Sequence, residues 1–330
     1  MFRPCSRRLI GRGVAPTLPL LHPTATTTTP SSARGENVHE VSKFRNVHAQ
    51  WWDPKGPLRT LHMLNPTRVE YITNCIRSTP FGGDFGNCGA GVSTDSATTP
   101  IRVLDVGCGV GVLSEALARV GAQVTSVDAC EESINLAKAR QASIAAQRSA
   151  IGAKGGCRYP VEYVYQNLFS LSTPSMEANG GQFDCVVASE VMEHVDEPAA
   201  FLERCCQLVR PGGILIVSTM DKSLLTAATG IVAAEYFLGL LPPGTHDWRK
   251  FLPPKDVERH AERYGVNQMD LSYAVSYPDP SSSLAAGNLH LNVFLSKSIR
   301  SGHYFWCGTK ASSTPTDRSS TTTPPSASSS

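Results

Sequence analysis

The sequence predicts an α/β fold: a doubly wound, mostly parallel sheet of seven strands with an antiparallel C-terminal edge. Apolar strand patterns alternate with amphipathic helical ones through residues 101–219, as expected where helices carry the chain between parallel strands. The first unit, residues 101–128 (IRVLDVGCGVGVLSEALARVGAQVTSVD), runs strand, glycine turn, helix, strand, the order of a βαβ unit.

Strands are expected at 101–106, 123–127, 161–165, 183–188 and 213–219, with helices at 112–120, 131–148 and 199–209 between them. Two weaker strand patterns, 271–276 and 290–295, are expected to pair antiparallel at the sheet edge through a 278–287 loop. Ahead of the sheet, residues 36–77 read as helical, with apolar positions at Val41, Phe44, Val47 and Trp51. A Pro/Gly turn at 54–57 interrupts that pattern, and Pro66 opens a second helix through Ile76. Residues 78–100, rich in Gly, Ser, Asp and Thr, read as a loop or insertion.

Bulk properties bound the function. At 330 residues and 41% apolar content, the chain can build one large core flanked by tails. A net charge of +2 argues against a general nucleic-acid binder, which carries a strong basic excess. The ten cysteines are scattered without a C-x-x-C pair and read as reduced thiols, neither a disulfide framework nor a zinc site. In residues 1–35 the only charged side chains are Arg3, Arg7, Arg8, Arg12 and Arg34, amid Ser, Thr and Pro, which fits a mitochondrial transit peptide; a plain disordered tail is the alternative. Residues 311–330 read as a disordered Ser/Thr/Pro tail, leaving 36–310 as the domain.

The glycine turn indicates the ligand. Its run Asp105-Val-Gly-Cys-Gly-Val-Gly is G-x-G-x-G, not the G-x-G-x-x-G of a dinucleotide site. A carboxylate just before the turn repels a pyrophosphate and suits a cation. S-adenosylmethionine carries a sulfonium and an amino group and no phosphate. Asp128, at the tip of the second strand, stands where a carboxylate grips ribose hydroxyls. The stretch resembles the first motif of class I methyltransferases.

A second constellation follows the 183–188 strand: Glu190, Glu193 and His194. In a helical turn, the i, i+3, i+4 spacing puts them on one face. Two carboxylates and an imidazole there suit a divalent ion, with oxygen-rich ligation favouring Mg²⁺. The alternative is that they cap a helix or line the cofactor pocket without metal.

Longer strings narrow the resemblance. Trp51-Trp52-Asp53, LHMLNPTR (61–68), LDVGCGVG (104–111), SEVMEHV (189–195), VRPGGILIVST (209–219) and AAEYFLGLLPPGTHDWRKF (233–251) resemble the ubiquinone-biosynthesis O-methyltransferase family over roughly residues 36–298. That resemblance implies methylation of catechol-type oxygens on polyprenylated rings, 3,4-dihydroxy-5-polyprenylbenzoate and demethylubiquinol, with S-adenosylmethionine as donor. Carried over by position, it implies Arg68 at the cofactor's carboxylate, Gly107 at its methionine end, Asp128 at the ribose and Ser189 lining the pocket. It also implies Mg²⁺ on Glu190, Glu193 and His194. Ser189 departs from the larger apolar residue of bacterial relatives.

Residues 224–241 (LLTAATGIVAAEYFLGLL) are nearly uncharged, with Glu235 their only ionisable carboxylate. Glu235, the short length and the place inside the domain oppose a transmembrane span. A buried helix stays open as a reading. The prenylated substrate that the resemblance implies favours an interfacial lid over 222–250, with Lys222, Arg249 and Lys250 facing anionic headgroups. The expected setting is the matrix side of the mitochondrial inner membrane, against its lipid surface and beside other ubiquinone-biosynthesis proteins. A methyltransferase for another small molecule, or a cofactor-binding scaffold without catalysis, is the competing reading.

Overall fold

The computed structural model describes residues 51–53, 56, 59–83, 85–86, 99–150, 159–171, 182–222, 250–281, 283 and 291–312. The expected transit peptide, most of the 78–100 insertion, residues 223–249 of the expected lid and nearly all of the C-terminal tail lie outside the described residues. No described helix is long and apolar enough to cross a membrane.

Eight strands form one sheet: β1 (Arg102–Val106), β2 (Gln123–Asp128), β3 (Glu162–Tyr165), β4 (Phe183–Ser189), β5 (Val209–Met220), β6 (Val266–Pro278), β7 (Leu291–Ser296) and β8 (His303–Lys310). Their order is β3-β2-β1-β4-β5-β8-β6-β7. The first five are parallel to one another, and β8, β6 and β7 join antiparallel. The β6–β7 pairing is the expected edge. The seven-strand expectation is corrected by β8, which inserts between β5 and β6.

The described α-helices are, in chain order, α1 (Arg59–Arg77), α2 (Val112–Arg119), α3 (Glu131–Ala150), α4 (Pro198–Leu208) and α5 (Pro254–Glu262), the last not among those expected from the sequence. α1 begins seven residues before Pro66 and runs through it, instead of starting there. Proline costs one backbone bond at that turn. The face that follows offsets the loss, because Thr67, Arg68, Tyr71, Ile72, Cys75 and Ile76 are all buried.

Both faces of the sheet are covered, so its central strands are apolar on successive residues instead of alternating. Cys185 and Val187 of β4, with Ile214 and Ile216 of β5, pack beneath α1, α2 and α3 through Ile72, Leu117 and Ile134. Val186 and Ala188, with Leu215 and Val217, face the opposite layer of Leu202, Cys205 and Val257 from α4 and α5. β8 is buried on both faces through Tyr304, Phe305, Trp306 and Cys307.

This topology gathers the site. Parallel strands end at one edge, so Val106, Asp128, Ser189 and Met220 finish together, where open α/β sheets bind ligands. β8 runs the other way and pairs its first residue, His303, with Met220, which brings His303 to the same edge.

Trp306 has no exposed surface, and its indole N–H donates to Gln268 Oε1 at 2.9 Å. Trp306→Ala is expected to cost about 4 kcal/mol, read as a lowered denaturant midpoint with unchanged slope; a loss under about 1 kcal/mol would show that β8 is peripheral to the core.

Candidate functional site

The glycine turn is built for close approach. Gly109 has φ 54°, and its N–H donates to Asp128 Oδ2 at 2.8 Å. A Cβ there would stand 1.9 Å from the Trp51 ring, so only glycine lets that ring lie on the turn. Gly107 (φ 68°) donates its N–H to the Val127 carbonyl at 2.8 Å, and a Cβ on it would strike Val191 at 2.4 Å. The Trp-Trp-Asp string therefore has a physical role: Trp51 covers the turn. Its carbonyl meets His62 Nε2 at 2.6 Å, and the Arg140 guanidinium lies 3.5 Å over the Trp52 ring.

Asp128 receives two backbone N–H groups, Gly109 on Oδ2 and Cys130 on Oδ1, both at 2.8 Å. Burial raises its pKa, and those two donors oppose the rise. Asp105 is buried and accepts the Ser114 hydroxyl of α2 at 2.6 Å. Burial pushes its pKa to about 6, against the Ser114 bond and the nearby Arg68 charge.

Arg68 comes from the buried face of α1. Its Nη2 donates to Asn65 Oδ1 at 2.9 Å and its Nη1 reaches Ser189 Oγ at 3.4 Å, while Nε is buried without a hydrogen-bond partner. An orphaned guanidinium N–H in a crevice is expensive unless an acceptor arrives. With the Asp128 carboxylate at the glycine turn, it fits a ligand carrying a carboxylate at one end and a ribose at the other. The sequence-derived positions Arg68, Gly107, Asp128 and Ser189 thus gather at one edge of the sheet.

The expected metal set is arranged differently. Glu190 takes φ 59°, the left-handed region, which breaks the helical turn that would have aligned it with Glu193 and His194. Such a conformation costs about 1–3 kcal/mol and persists only where the surroundings hold it. Here they do: Glu190 N–H donates to Ser218 O at 2.9 Å, and Oε1 accepts Ser218 Oγ at 2.7 Å and meets His303 Nε2 at 2.5 Å. Burial would raise the Glu190 pKa, but the adjoining His303, the Ser218 hydroxyl and Arg68 outweigh it and bring it to about 2. Glu193, in the short turn Met192–His194, is buried and accepts the Thr219 hydroxyl at 2.9 Å. Among the described residues no group of three or more His, Cys, Asp or Glu side chains converges. The helical alignment expected of Glu190, Glu193 and His194 is corrected on this point: Glu190 lies outside the turn that holds the other two.

Sequence reasoning missed Ser218 and His303 as members of this site. Ser218 lies within a quoted strand string, but nothing marks it. His303 stands 113 residues from Glu190, on the unexpected strand.

Comparison with known proteins decides the family. Residues 90–269 match the model of a methyltransferase domain. The ubiquinone biosynthesis O-methyltransferase of Dinoroseobacter shibae is 37% identical over 265 residues, covering 80% of this chain and 96% of the relative. The chain belongs to the ubiquinone biosynthesis O-methyltransferase family. Other members are as similar: that of Methylobacterium strain 4-46 is 36% identical over 78% of this chain and 94% of its own length. The family member from Parvibaculum lavamentivorans is 37% identical, with 72% and 83% covered. The chain is an S-adenosylmethionine-dependent methyltransferase acting on a small molecule. Arg68 and Asp105 are both buried, and the charge of each favours ionisation of the other.

Because Asp105 is protonated below about pH 6, the site gains that negative charge only above it. Its raised folded-state pKa means the cofactor-free protein loses stability as pH rises from about 4 to 6. A cationic cofactor reverses the preference, so its affinity is expected to rise through pH 6, and Asp105→Asn is expected to flatten that rise. Calorimetric titration between pH 5 and 8 checks this; an unchanged slope in the variant would remove Asp105 from cofactor recognition.

Proposed function

We propose that this methyltransferase transfers the methyl group of S-adenosylmethionine to a ring hydroxyl of polyprenylated catechols in ubiquinone synthesis, 3,4-dihydroxy-5-polyprenylbenzoate and demethylubiquinol. What carries the reading is the similarity over nearly the whole length of relatives bearing that family's name. In this reading Arg68 Nε binds the cofactor's carboxylate, the Gly107 carbonyl takes its amino group, and Asp128 takes both ribose hydroxyls. Ser189 closes the pocket beside Arg68. The sulfonium methyl then faces the crevice, and an acceptor oxygen attacks it in line. The new O–CH₃ bond forms as the S–CH₃ bond breaks, S-adenosylhomocysteine leaves, and the hydroxyl proton passes to solvent. Holding the two reactants in that line supplies most of the acceleration.

Magnesium assistance, implied by the resemblance, is not needed for this reading, since Glu190 is engaged by His303 and Ser218. The reading includes a matrix-side place at the mitochondrial inner membrane, beside other ubiquinone-biosynthesis proteins. The acid-free, arginine-bearing first 35 residues and the apolar 224–241 stretch support it.

The test incubates the full chain with methyl-labelled S-adenosylmethionine and a short-prenyl catechol, in Mg²⁺ and in EDTA, and identifies the product by mass spectrometry. One labelled methyl on one ring oxygen, at equal rate in both buffers, is expected. Cofactor binding without transfer to either catechol would overturn the substrate assignment. A rate that collapses in EDTA and returns with Mg²⁺ would restore the metal.

A further inference from the structure

The hydrogen bonds around Glu190 have a direction. The Glu190 carboxylate only accepts, so Ser218 Oγ spends its proton on it at 2.7 Å. Ser189 Oγ, 2.8 Å from Ser218 Oγ, must then donate to Ser218, which leaves Ser189 to accept from Arg68 Nη1. From the other side, His303 Nε2 donates to Glu190 Oε1 at 2.5 Å. The result is one polarised line, Arg68 to Ser189 to Ser218 to Glu190, closed by His303 from β8.

Arg68 and Glu190 carry opposite charges at the same edge of the sheet, linked through Ser189 and Ser218, yet they are not paired directly. Of the carboxylates acting on Arg68, Glu190 is the strongest, ahead of Asp105. A direct ion pair between them would occupy the guanidinium that the cofactor's carboxylate needs. Instead Arg68 Nε has no hydrogen-bond partner, and Glu190 is turned away in a left-handed conformation, with its acceptor oxygen filled twice. His303 holds the Glu190 carboxylate from the far side through Nε2.

We propose that His303 is a positioning residue: it tethers Glu190 away from Arg68, so that the guanidinium stays open for the carboxylate of S-adenosylmethionine. The inference rests on the assignment of Arg68 to that carboxylate. It gives Glu190 the role of a restrained competitor anion in place of a metal ligand. Without His303, Glu190 swings onto Arg68 and the cofactor must displace it.

Calorimetric titration of the full chain with S-adenosylmethionine tests this without any methyl acceptor. His303→Ala is expected to weaken binding about tenfold, the scale of one charge-assisted hydrogen bond. His303→Gln, which keeps a donor near the Nε2 position, is expected to recover most of that loss. The decisive arm is the double variant His303→Ala/Glu190→Gln. Removing the competitor's charge is expected to restore affinity to near the parent value, whereas damage to folding would deepen the loss. Glu190→Gln alone is expected to bind at least as tightly as the parent.

Affinity within twofold of the parent in folded His303→Ala would overturn the tether. A loss that persists in the double variant, or a tenfold loss in Glu190→Gln alone, would do the same. Arg68→Ala is titrated alongside: if it binds the cofactor normally, the Arg68 assignment fails, and if it does not, a failure of the other variants belongs to the tether alone. A cofactor affinity that Mg²⁺ raises in the parent but not in Glu190→Gln would return Glu190 to the metal.

Discussion

The bond from the Gly109 N–H to the Asp128 carboxylate ties the cradle together. It joins the turn after β1 to the tip of β2, and it needs a backbone that no side chain obstructs. With a second donor from Cys130, it holds a half-buried carboxylate whose charge burial opposes. Trp51 lies on the same glycine, so the covering segment is registered against the turn by the missing Cβ. The parallel strand register places both tips at one edge, and the cofactor end of the site follows.

Arg68 and Glu190 show the complementary constraint at the same edge. Buried charges are costly unless paired or hydrogen-bonded. The fold meets that cost for Glu190 with a histidine and a serine from two neighbouring strands, and leaves part of the guanidinium unmet. An unsatisfied donor in a protein core is a liability in isolation and an asset where a ligand's carboxylate completes it. The left-handed backbone at Glu190 belongs to the same arrangement, since the conformation is retained where interactions from both sides hold it.

The parallel core was legible because its strands and helices have distinct periods, and the glycine turn because close approach demands glycine. β8 was not legible: HYFWCGTK is a short run buried on both faces, without alternation, and it lies past a region that already read as a finished edge. Missing β8 meant missing His303, and without His303 the 190–194 segment looked like a free ligand set. Spacing on an assumed helix could not show that Glu190 would leave helical geometry, because that follows from contacts with Ser218 and His303, far away in the chain. Pro66 misled for a related reason, since buried packing after it outweighs the one bond it removes.

A crystal structure of the full chain with S-adenosylhomocysteine tests the account most directly. The ribose hydroxyls are expected on the Asp128 carboxylate and the amino-acid carboxylate on Arg68 Nε, with Glu190 still held by His303 and Ser218. A cofactor bound with its carboxylate away from Arg68, or a Glu190 released from His303 and paired with the guanidinium while the cofactor is in place, would contradict it.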